Sequence, residues 1–234
     1  NGALLQHMAI PLKEAGVKRL NISIDSLDRR SFRNLTRYGN LEQVENGINA
    51  ALDAGFEKIK LNSVIMNGKN HTEVIDLVNF AREKEIDISF IEEMPLGNIE
   101  THKRKETLMT SAELRDLISF HYKLEPLGEP DKLDGPSRYY VMKDSSSKIG
   151  FISPHSNNFC HLCNRVRVTA EGRLLLCLGH ENSIDLRAII RDKSADFDDL
   201  KQAIVTGLTN KPLRHEFRED QEPTVLRFMN ATGG

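Results

Sequence analysis

Residues 59–91 read IKLNSVIMNGKNHTEVIDLVNFAREKEIDISFI and contain the pattern from which the fold class follows. The apolar run at 59–66 predicts a strand, and the apolar residues at 74, 77, 78 and 81 recur at helical spacing. A second apolar run at 86–91 predicts another strand. Strand, helix and strand joined by short connections indicate a right-handed βαβ unit with parallel strands.

The residues ahead of this unit show the same alternation. A helix is predicted over 3–15 with Gly16 at its end, and a strand is predicted over 20–24. A second helix is predicted around 41–52, and Gly55 follows it at the position of a left-handed C-terminal cap. Three parallel strands do not close a barrel. The sequence therefore predicts part of a larger α/β layer.

The pattern changes near residue 97, so domains are predicted at 1–97 and 98–234. Residues 98–105 are polar and predict a loop, and Thr110 and Glu113 form a capping box ahead of a helix that runs to Phe120. The remaining predicted elements are strands at 137–143 and 148–153, a hairpin at 166–177 with Glu171-Gly172 in its turn, and helices near 184–191 and 196–207.

Composition excludes several classes of protein. A formal net charge of −2 argues against a general nucleic-acid binder, which needs a broad basic surface. The sequence has no apolar run long enough to span a membrane and no recognisable signal peptide. Three cysteines are an odd number and do not predict a secreted disulfide framework. We expect a cytoplasmic protein that binds neither nucleic acid nor a membrane.

The three cysteines predict one metal site. Cys160 and Cys163 lie on one tight loop, and Cys177 returns across a short hairpin. Thiolates this close repel one another unless a cation holds them, although a free cysteine is often only a small apolar residue. Zinc fits the spacing first, because His180 could complete a Cys3His tetrahedron. Three cysteines also fit a [4Fe–4S] cluster with one iron open to a substrate.

Two arginines follow the cysteine loop. Arg165 and Arg167 would point to the same face of a strand, beside the metal. Guanidinium groups match phosphate oxygens, so these residues indicate an anion near the metal. The alternative is two solvated arginines on an exposed strand.

The string at 159–178, FCHLCNRVRVTAEGRLLLCL, resembles the C-terminal cluster motif of the GTP 3′,8-cyclases, the molybdenum cofactor biosynthesis protein A family of the radical S-adenosylmethionine superfamily. Further segments that resemble the family lie at 21–28, 58–62, 90–97, 134–136 and 233–234. The resemblance covers essentially the whole chain. It implies an α/β fold: the C-terminal part of an incomplete TIM-type (β/α) barrel, followed by a C-terminal iron–sulfur cluster region.

The resemblance also implies roles for individual residues. Cys160, Cys163 and Cys177 would hold the second [4Fe–4S] cluster, whose open iron binds the guanine of GTP. Ser23 and Met94 would contact S-adenosylmethionine. The implied GTP-binding residues are Lys60, Arg165, Val166, Arg167, Gly233 and Gly234. On the sequence alone, Lys60 could equally be a surface lysine and the two glycines a disordered end.

The implied reaction is the radical cyclisation of GTP to 3′,8-cyclo-7,8-dihydro-GTP, the first step of molybdenum cofactor biosynthesis. It requires S-adenosylmethionine and an electron donor, and its product is used by cyclic pyranopterin monophosphate synthase. A homodimer is left open by the sequence. Two other functions also stay open at this stage: a non-catalytic module stabilised by zinc, and another radical enzyme with an auxiliary cluster, such as a peptide modifier.

The chain departs from the family pattern in three respects. The N-terminal CxxxCxxC of the first [4Fe–4S] cluster and the glycine-rich S-adenosylmethionine motif are absent, so the resemblance implies a fragment that is inactive alone. Ser89 stands where the family often has arginine, which removes one expected positive contact. Thr232 stands where the family commonly has an apolar residue.

Overall fold

The computed structural model describes residues 1–97, 104–128, 135–215, 217, 225, 227 and 229–232, without the side chains of Leu162 and Asn230. The chain forms two compact units. The first consists of Asn1–Glu93 and Glu106–Asn157, and the second of Met94–Lys105 and Asn158–Gly234. None of the helices in these described ranges is long and apolar enough to cross a membrane.

The first unit alternates helices with strands. In chain order its elements are α1 (Leu5–Glu14), β1 (Arg19–Ser23), α2 (Arg29–Thr36), α3 (Leu41–Asp53), β2 (Lys58–Val64), a 3-10 helix (His71–Glu73), α4 (Val74–Glu83) and β3 (Asp87–Ile91). A short helix, α5 (Arg104–Thr107), comes next, and only its last two residues, Glu106 and Thr107, belong to this unit. The unit then continues with α6 (Ser111–His121), β4 (Glu125–Pro126), β5 (Arg138–Val141) and β6 (Lys148–Ile152).

The six strands of this unit form one open sheet in the order β1-β2-β3-β6-β5-β4. The first four strands in that order are parallel to one another. Strand β5 pairs antiparallel with β6, and β4 pairs antiparallel with β5. This confirms the predicted α/β class. Parallel strands that alternate with helices are consistent with the expected partial TIM-type barrel.

The two faces of the sheet differ in polarity because successive strand residues point to opposite sides. One face carries Ile22, Leu61, Ile88 and Phe90, which are buried in a single core with residues of α1, α3, α4 and α6. The opposite face is largely polar. Strand register places on it Asn21 and Ser23 of β1, Lys58, Lys60 and Asn62 of β2, Asp87 and Ser89 of β3, and Tyr139 of β5.

The predicted helices and strands of the first unit are present within a few residues of their expected bounds. The capping box is confirmed, because Thr110 and Glu113 exchange side-chain and backbone hydrogen bonds. Helix α2 was not predicted, since Phe32 is its only buried residue and it therefore has no apolar stripe. Its signal was Asp28, whose carboxylate accepts the Ser31 N–H at 2.8 Å as an N-cap. The predicted loop at 98–105 differs at its end, where α5 begins at Arg104, and 98–103 lie outside the described residues.

The compact units do not divide the chain at residue 97, where the composition changes. Residues 106–157 belong with the N-terminal part. The reason is strand pairing: β6 adds to the parallel sheet, with Ile88 opposite Ile149 and Phe90 opposite Phe151. A composition change along the chain cannot show that a later strand returns to an earlier sheet.

The second unit is smaller and contains the cysteines. Its elements are a 3-10 helix (Cys160–Leu162), β7 (Arg167–Val168), β8 (Arg173–Leu175), β9 (Ser183–Asp185), α7 (Leu186–Arg191), α8 (Phe197–Thr209) and a 3-10 helix (Met229–Thr232). The predicted hairpin is confirmed as β7 and β8, with Gly172 at a φ of +80° in the turn. Strand β9 was not predicted and lies where a helix was expected to begin. Leu174, Leu176 and Leu186 form the small core.

Candidate functional site

Ser23 and Lys60 lie on the polar face of the sheet in the first unit. Asn21 is opposite Lys60 and Ser23 is opposite Asn62. The side chains of Ser23 and Lys60 therefore project from the same side of the sheet, on neighbouring strands. Lys60 is buried, with 9% of its surface exposed. Its Nζ donates to Tyr139 Oη at 3.2 Å and lies 5.8 Å from the centre of that ring. An ammonium has three N–H donors, so Lys60 can still donate to an anion.

Ser89 sits further across the same face, in a space too small for a long side chain. Its Oγ lies 2.9 Å from Ser137 Oγ, and both residues are fully buried. A Cβ at Gly150, the register partner of Ser89, would lie 2.1 Å from Ser137 Oγ and 2.5 Å from Ser89 Oγ. The two serines and the glycine therefore pack as a set. The expected arginine contact is not supplied from this position.

Asp25 follows β1 at the carboxyl edge of the parallel strands. Its Oδ1 accepts the Val64 N–H at 2.8 Å. The buried Asn70 side chain spans the same edge, donating to Asp25 O at 2.6 Å and to Val64 O at 2.9 Å. Burial raises the pKa of Asp25 to about 6, although the hydrogen bond from Val64 acts in the opposite direction. Asp25 was not among the predicted site residues.

Glu92 follows β3 at the same edge and is fully buried. Its carboxylate accepts the Ser111 N–H at 2.8 Å and the N–H groups of His155 and Ser156 at 3.0 Å each. The Ser156 hydroxyl donates as well. Burial alone would raise the pKa of Glu92, but these hydrogen bonds together lower it below its usual value. With its acceptors occupied, this carboxylate acts as an anchor for two loops and the start of α6.

In the second unit, hydrogen bonds to the backbone and to the sulfur of Cys160 hold this residue in place. The Cys160 N–H donates to Asn158 Oδ1 at 2.7 Å, and Cys163 N–H donates to Cys160 O at 3.1 Å. The His215 N–H lies 3.4 Å from Cys160 Sγ. Backbone N–H groups directed at cysteine sulfur are a feature of iron–sulfur sites, where they tune the cluster. Asn158 and His215 were not predicted, because they lie outside the cysteine string.

Cys177 lies in a turn after β8. Burial raises the pKa of its thiol, and the nearby Cys160 and Cys163 also raise it. The Gly179 N–H and the Lys211 ammonium act in the opposite direction. Cys160 and Cys163 are therefore close enough to influence the charge of Cys177, and their union in one metal site stays a prediction. Deprotonation at this site therefore needs a cation, which a metal would supply.

The contacts of the cysteines and of His180 bear on the choice between a zinc ion and a cluster. Within the described ranges, no three His, Cys, Asp or Glu side chains are placed to hold one metal ion together. His180, the fourth ligand of the zinc alternative, has its Nε2 3.0 Å from Arg214 O. The sulfurs of a [4Fe–4S] site bind different irons, whereas zinc draws all its ligands to one point. Cys160, with the His215 N–H directed at its sulfur, therefore fits the role of a [4Fe–4S] ligand.

The arginine pair follows the cysteine loop. Only Arg167 lies in β7, so the predicted strand is shorter and Arg165 precedes it. Burial lowers the pKa of Arg167, and the positive charge of Arg165 lowers it further. The two guanidinium groups are therefore close enough to repel. Val166, between them, is 39% exposed. Lys211 holds this loop by donating to Arg165 O at 2.8 Å and to Leu176 O at 2.6 Å.

The remaining predicted residues are placed as follows. Met94 is half-buried at the start of the second unit, where its carbonyl accepts the Leu96 N–H at 2.8 Å. Thr232 is buried, and its hydroxyl donates to Met229 O at 2.7 Å, so the polar residue is satisfied. Gly233 and Gly234, predicted to contact GTP, lie outside the described residues.

Comparison with known proteins identifies the family. Residues 1–81 match the radical SAM superfamily, and residues 86–217 match Molybdenum Cofactor Synthesis C. The whole chain is 55% identical to a GTP 3′,8-cyclase of Marinobacter nauticus and 53% identical to one of Saccharophagus degradans. It is 54% identical to GTP 3′,8-cyclase 2 of Pseudomonas aeruginosa, and covers 70% of each relative. The chain therefore belongs to the GTP 3′,8-cyclase family of radical S-adenosylmethionine enzymes.

Proposed function

We propose that this chain binds GTP for radical cyclisation to 3′,8-cyclo-7,8-dihydro-GTP, the first step of molybdenum cofactor biosynthesis. The single observation that carries the proposal is that Arg165 and Arg167 directly follow Cys160 and Cys163, in the same compact unit as Cys177. One group of residues would hold a metal cluster, and the other would bind phosphate. Relatives aligned over the full length of the chain bear the name GTP 3′,8-cyclase.

Membership of the radical SAM superfamily implies a [4Fe–4S] cluster and S-adenosylmethionine as cofactors. In this proposal Cys160, Cys163 and Cys177 hold the substrate-binding second cluster. Ser23 and Met94 contact S-adenosylmethionine. When bound, these groups supply the radical chemistry and an iron site for the guanine. The first cluster belongs to the CxxxCxxC motif, which the given sequence does not contain.

The chain's own residues would bind and orient the substrate. Arg165 and Arg167 offer planar forks that match the oxygens of a triphosphate. Burial is the main reason that the pKa of Arg167 is lowered, and an anion between the two arginines would offset the repulsion from Arg165 that lowers it further. Lys60 would add a positive charge from the sheet, held in place by Tyr139. Val166, Gly233 and Gly234 complete the proposed set of GTP contacts.

The proposal requires partners of stated chemistry. A one-electron donor must start each turnover, and cyclic pyranopterin monophosphate synthase would consume the product. A homodimer is compatible with this function.

The test is GTP binding by the anaerobically reconstituted chain, with the variants Arg165→Ala and Arg167→Ala. We expect each to weaken binding by roughly tenfold or more, since a charge-assisted hydrogen bond is lost, while the iron content stays unchanged. Arg191→Ala, on the exposed end of α7, removes the same charge and is the matched control. Unchanged affinity in both test variants would remove the phosphate role.

A further inference from the structure

In the C-terminal segment, which comprises the described residues from 225 to 232, Val225, Arg227 and Thr232 each hydrogen-bond to another part of the second unit. Val225 is buried, and its carbonyl accepts the Gly97 N–H at 2.9 Å. Thr232 O accepts from Arg167 Nη1 at 3.5 Å. Arg227 makes more of these hydrogen bonds than Val225 or Thr232, because several of its bonds converge on one turn.

Arg227 is bonded to the turn that carries Cys177. Its Nη2 donates to His180 O at 2.6 Å, to Leu178 O at 2.8 Å and more weakly to Cys177 O at 3.4 Å. Its Nη1 pairs with the Glu181 carboxylate. Only 13% of the Arg227 side chain is exposed, so water competes little for these bonds.

The chemistry of this contact suits arginine in particular. Carbonyls that converge at the end of a turn create a negative potential and need hydrogen-bond donors. Within this turn the bond from His180 N–H to Cys177 O is long, at 3.4 Å. A guanidinium presents several N–H donors in a fixed plane, and it keeps its charge when buried. A lysine ammonium could satisfy fewer of these acceptors at the same time.

We infer that Arg227 is a positioning residue for Cys177: it fixes the turn that presents the third thiol and ties the C-terminal segment to it. The description of Cys177 as a cluster ligand rests on the proposed function. The positioning of the turn does not, because every contact is within the protein. Since Arg227 lies 50 residues from Cys177 along the chain, the C-terminal segment and the cysteine turn depend on each other.

The test compares Arg227→Gln and Arg227→Lys with wild type by hydrogen exchange of the metal-free chain. We expect amides at 178–181 to exchange roughly tenfold faster in Arg227→Gln, because several charge-assisted bonds to the turn are lost. Arg227→Lys should give a smaller increase of about threefold, since it keeps the charge. Amides of β2 in the first unit serve as the internal reference and should not change.

The matched controls are Arg191→Gln, an exposed arginine of the same unit, and Glu181→Gln, which removes only the ion pair. Both should leave turn exchange within about twofold of wild type. Unchanged turn exchange in Arg227→Gln and Arg227→Lys would overturn the inference. If Arg227→Gln unfolds the chain and speeds exchange in β2 as well, Arg227→Lys decides by the same criterion.

A second readout uses the reconstituted chain. Release of iron to a chelator should be roughly tenfold faster in Arg227→Gln than in Arg191→Gln, because the turn that holds one ligand opens more often. If the chain binds one zinc and no iron, the proposed function fails while the exchange result still decides the role of Arg227. If it binds iron and turn exchange is unaffected, the inference fails alone.

Discussion

On the sheet of the first unit, Ser23 and Lys60 are held by strand register, whereas in the second unit Arg165 and Cys177 lie on loops held by side chains. Register fixes a side chain through a ladder of backbone bonds that no single substitution removes. The loops depend on Lys211 and Arg227, which donate to their carbonyls. One lost side chain should therefore disturb a loop held in this way more than a strand held by register.

The largest expected effect comes from Glu92, where the first unit itself relies on a side chain to hold loops. Glu92→Gln should lower the free energy of unfolding by about 3 kcal/mol, because an amide NH2 would face donors that now bind a carboxylate. Chemical denaturation measures the change. Glu57→Gln, an exposed residue paired with Lys18, is the control and should change stability by less than about 0.5 kcal/mol. A similar small change in Glu92→Gln would show that the anchor is dispensable.

The next largest effect is an increase in the free energy of unfolding, and it concerns Asp25. A pKa raised to about 6 means that the folded state holds the proton more tightly than the unfolded state, so stability is lost as pH rises from about 4 through 6. Asp25→Asn can still accept the Val64 N–H. It should therefore be more stable than wild type by about 2 kcal/mol at pH 7, after allowing for the partial exposure of the side chain.

Thermal unfolding of wild type and Asp25→Asn at pH 4 and pH 7 measures this difference. The two proteins should approach equal stability at the lower pH. A variant less stable than wild type at pH 7 would contradict the assignment of a buried, costly carboxylate.

A smaller effect is expected at Lys211 in the second unit. Lys211→Met keeps much of the apolar stem and removes both hydrogen bonds to Arg165 O and Leu176 O. We expect a loss of about 1–2 kcal/mol in the free energy of unfolding and faster hydrogen exchange at 164–166. Lys201→Met, on exposed α8, is the matched control. Equal exchange in the two variants would show that the loop does not need this lysine.

The smallest effect is expected on the sheet. Tyr139→Phe removes one hydrogen bond to Lys60 but leaves the ring and the strand in place. GTP affinity of the reconstituted chain should fall about three- to fivefold, with unfolding free energy changed by about 1 kcal/mol or less. Lys60→Met should weaken binding more than Tyr139→Phe. A larger loss in Tyr139→Phe than in Lys60→Met would reverse the roles given to these two residues.

The same comparison explains how much the sequence could predict. Period-two and period-3.6 patterns predicted the sheet, and register then places Ser23 and Lys60 on one face. No periodic pattern joins Arg227 to the Cys177 turn or Lys211 to Arg165, because these bonds depend on how loops lie after folding. Glu92 was recognised as part of a family segment, but its full set of donors is visible only when α6 and the loop after β6 are in place.

For the three cysteines, the sequence predicted part of the site but not the kind of metal. Their spacing predicted a metal site but favoured zinc, because His180 is near in sequence. In the structure His180 Nε2 lies against Arg214 O, and the His215 N–H is directed at the sulfur of Cys160; these two contacts support the proposed cluster.

Metal content shows whether Cys160, Cys163 and Cys177 hold the proposed cluster open to GTP. The chain is reconstituted anaerobically with iron and sulfide in the presence of equimolar zinc, and bound metals are counted. We expect about four irons per chain, charge-transfer absorption, and an electron paramagnetic resonance signal of the reduced cluster that changes when GTP is added. One zinc per chain without colour, lost in His180→Ala, would contradict the proposed cluster.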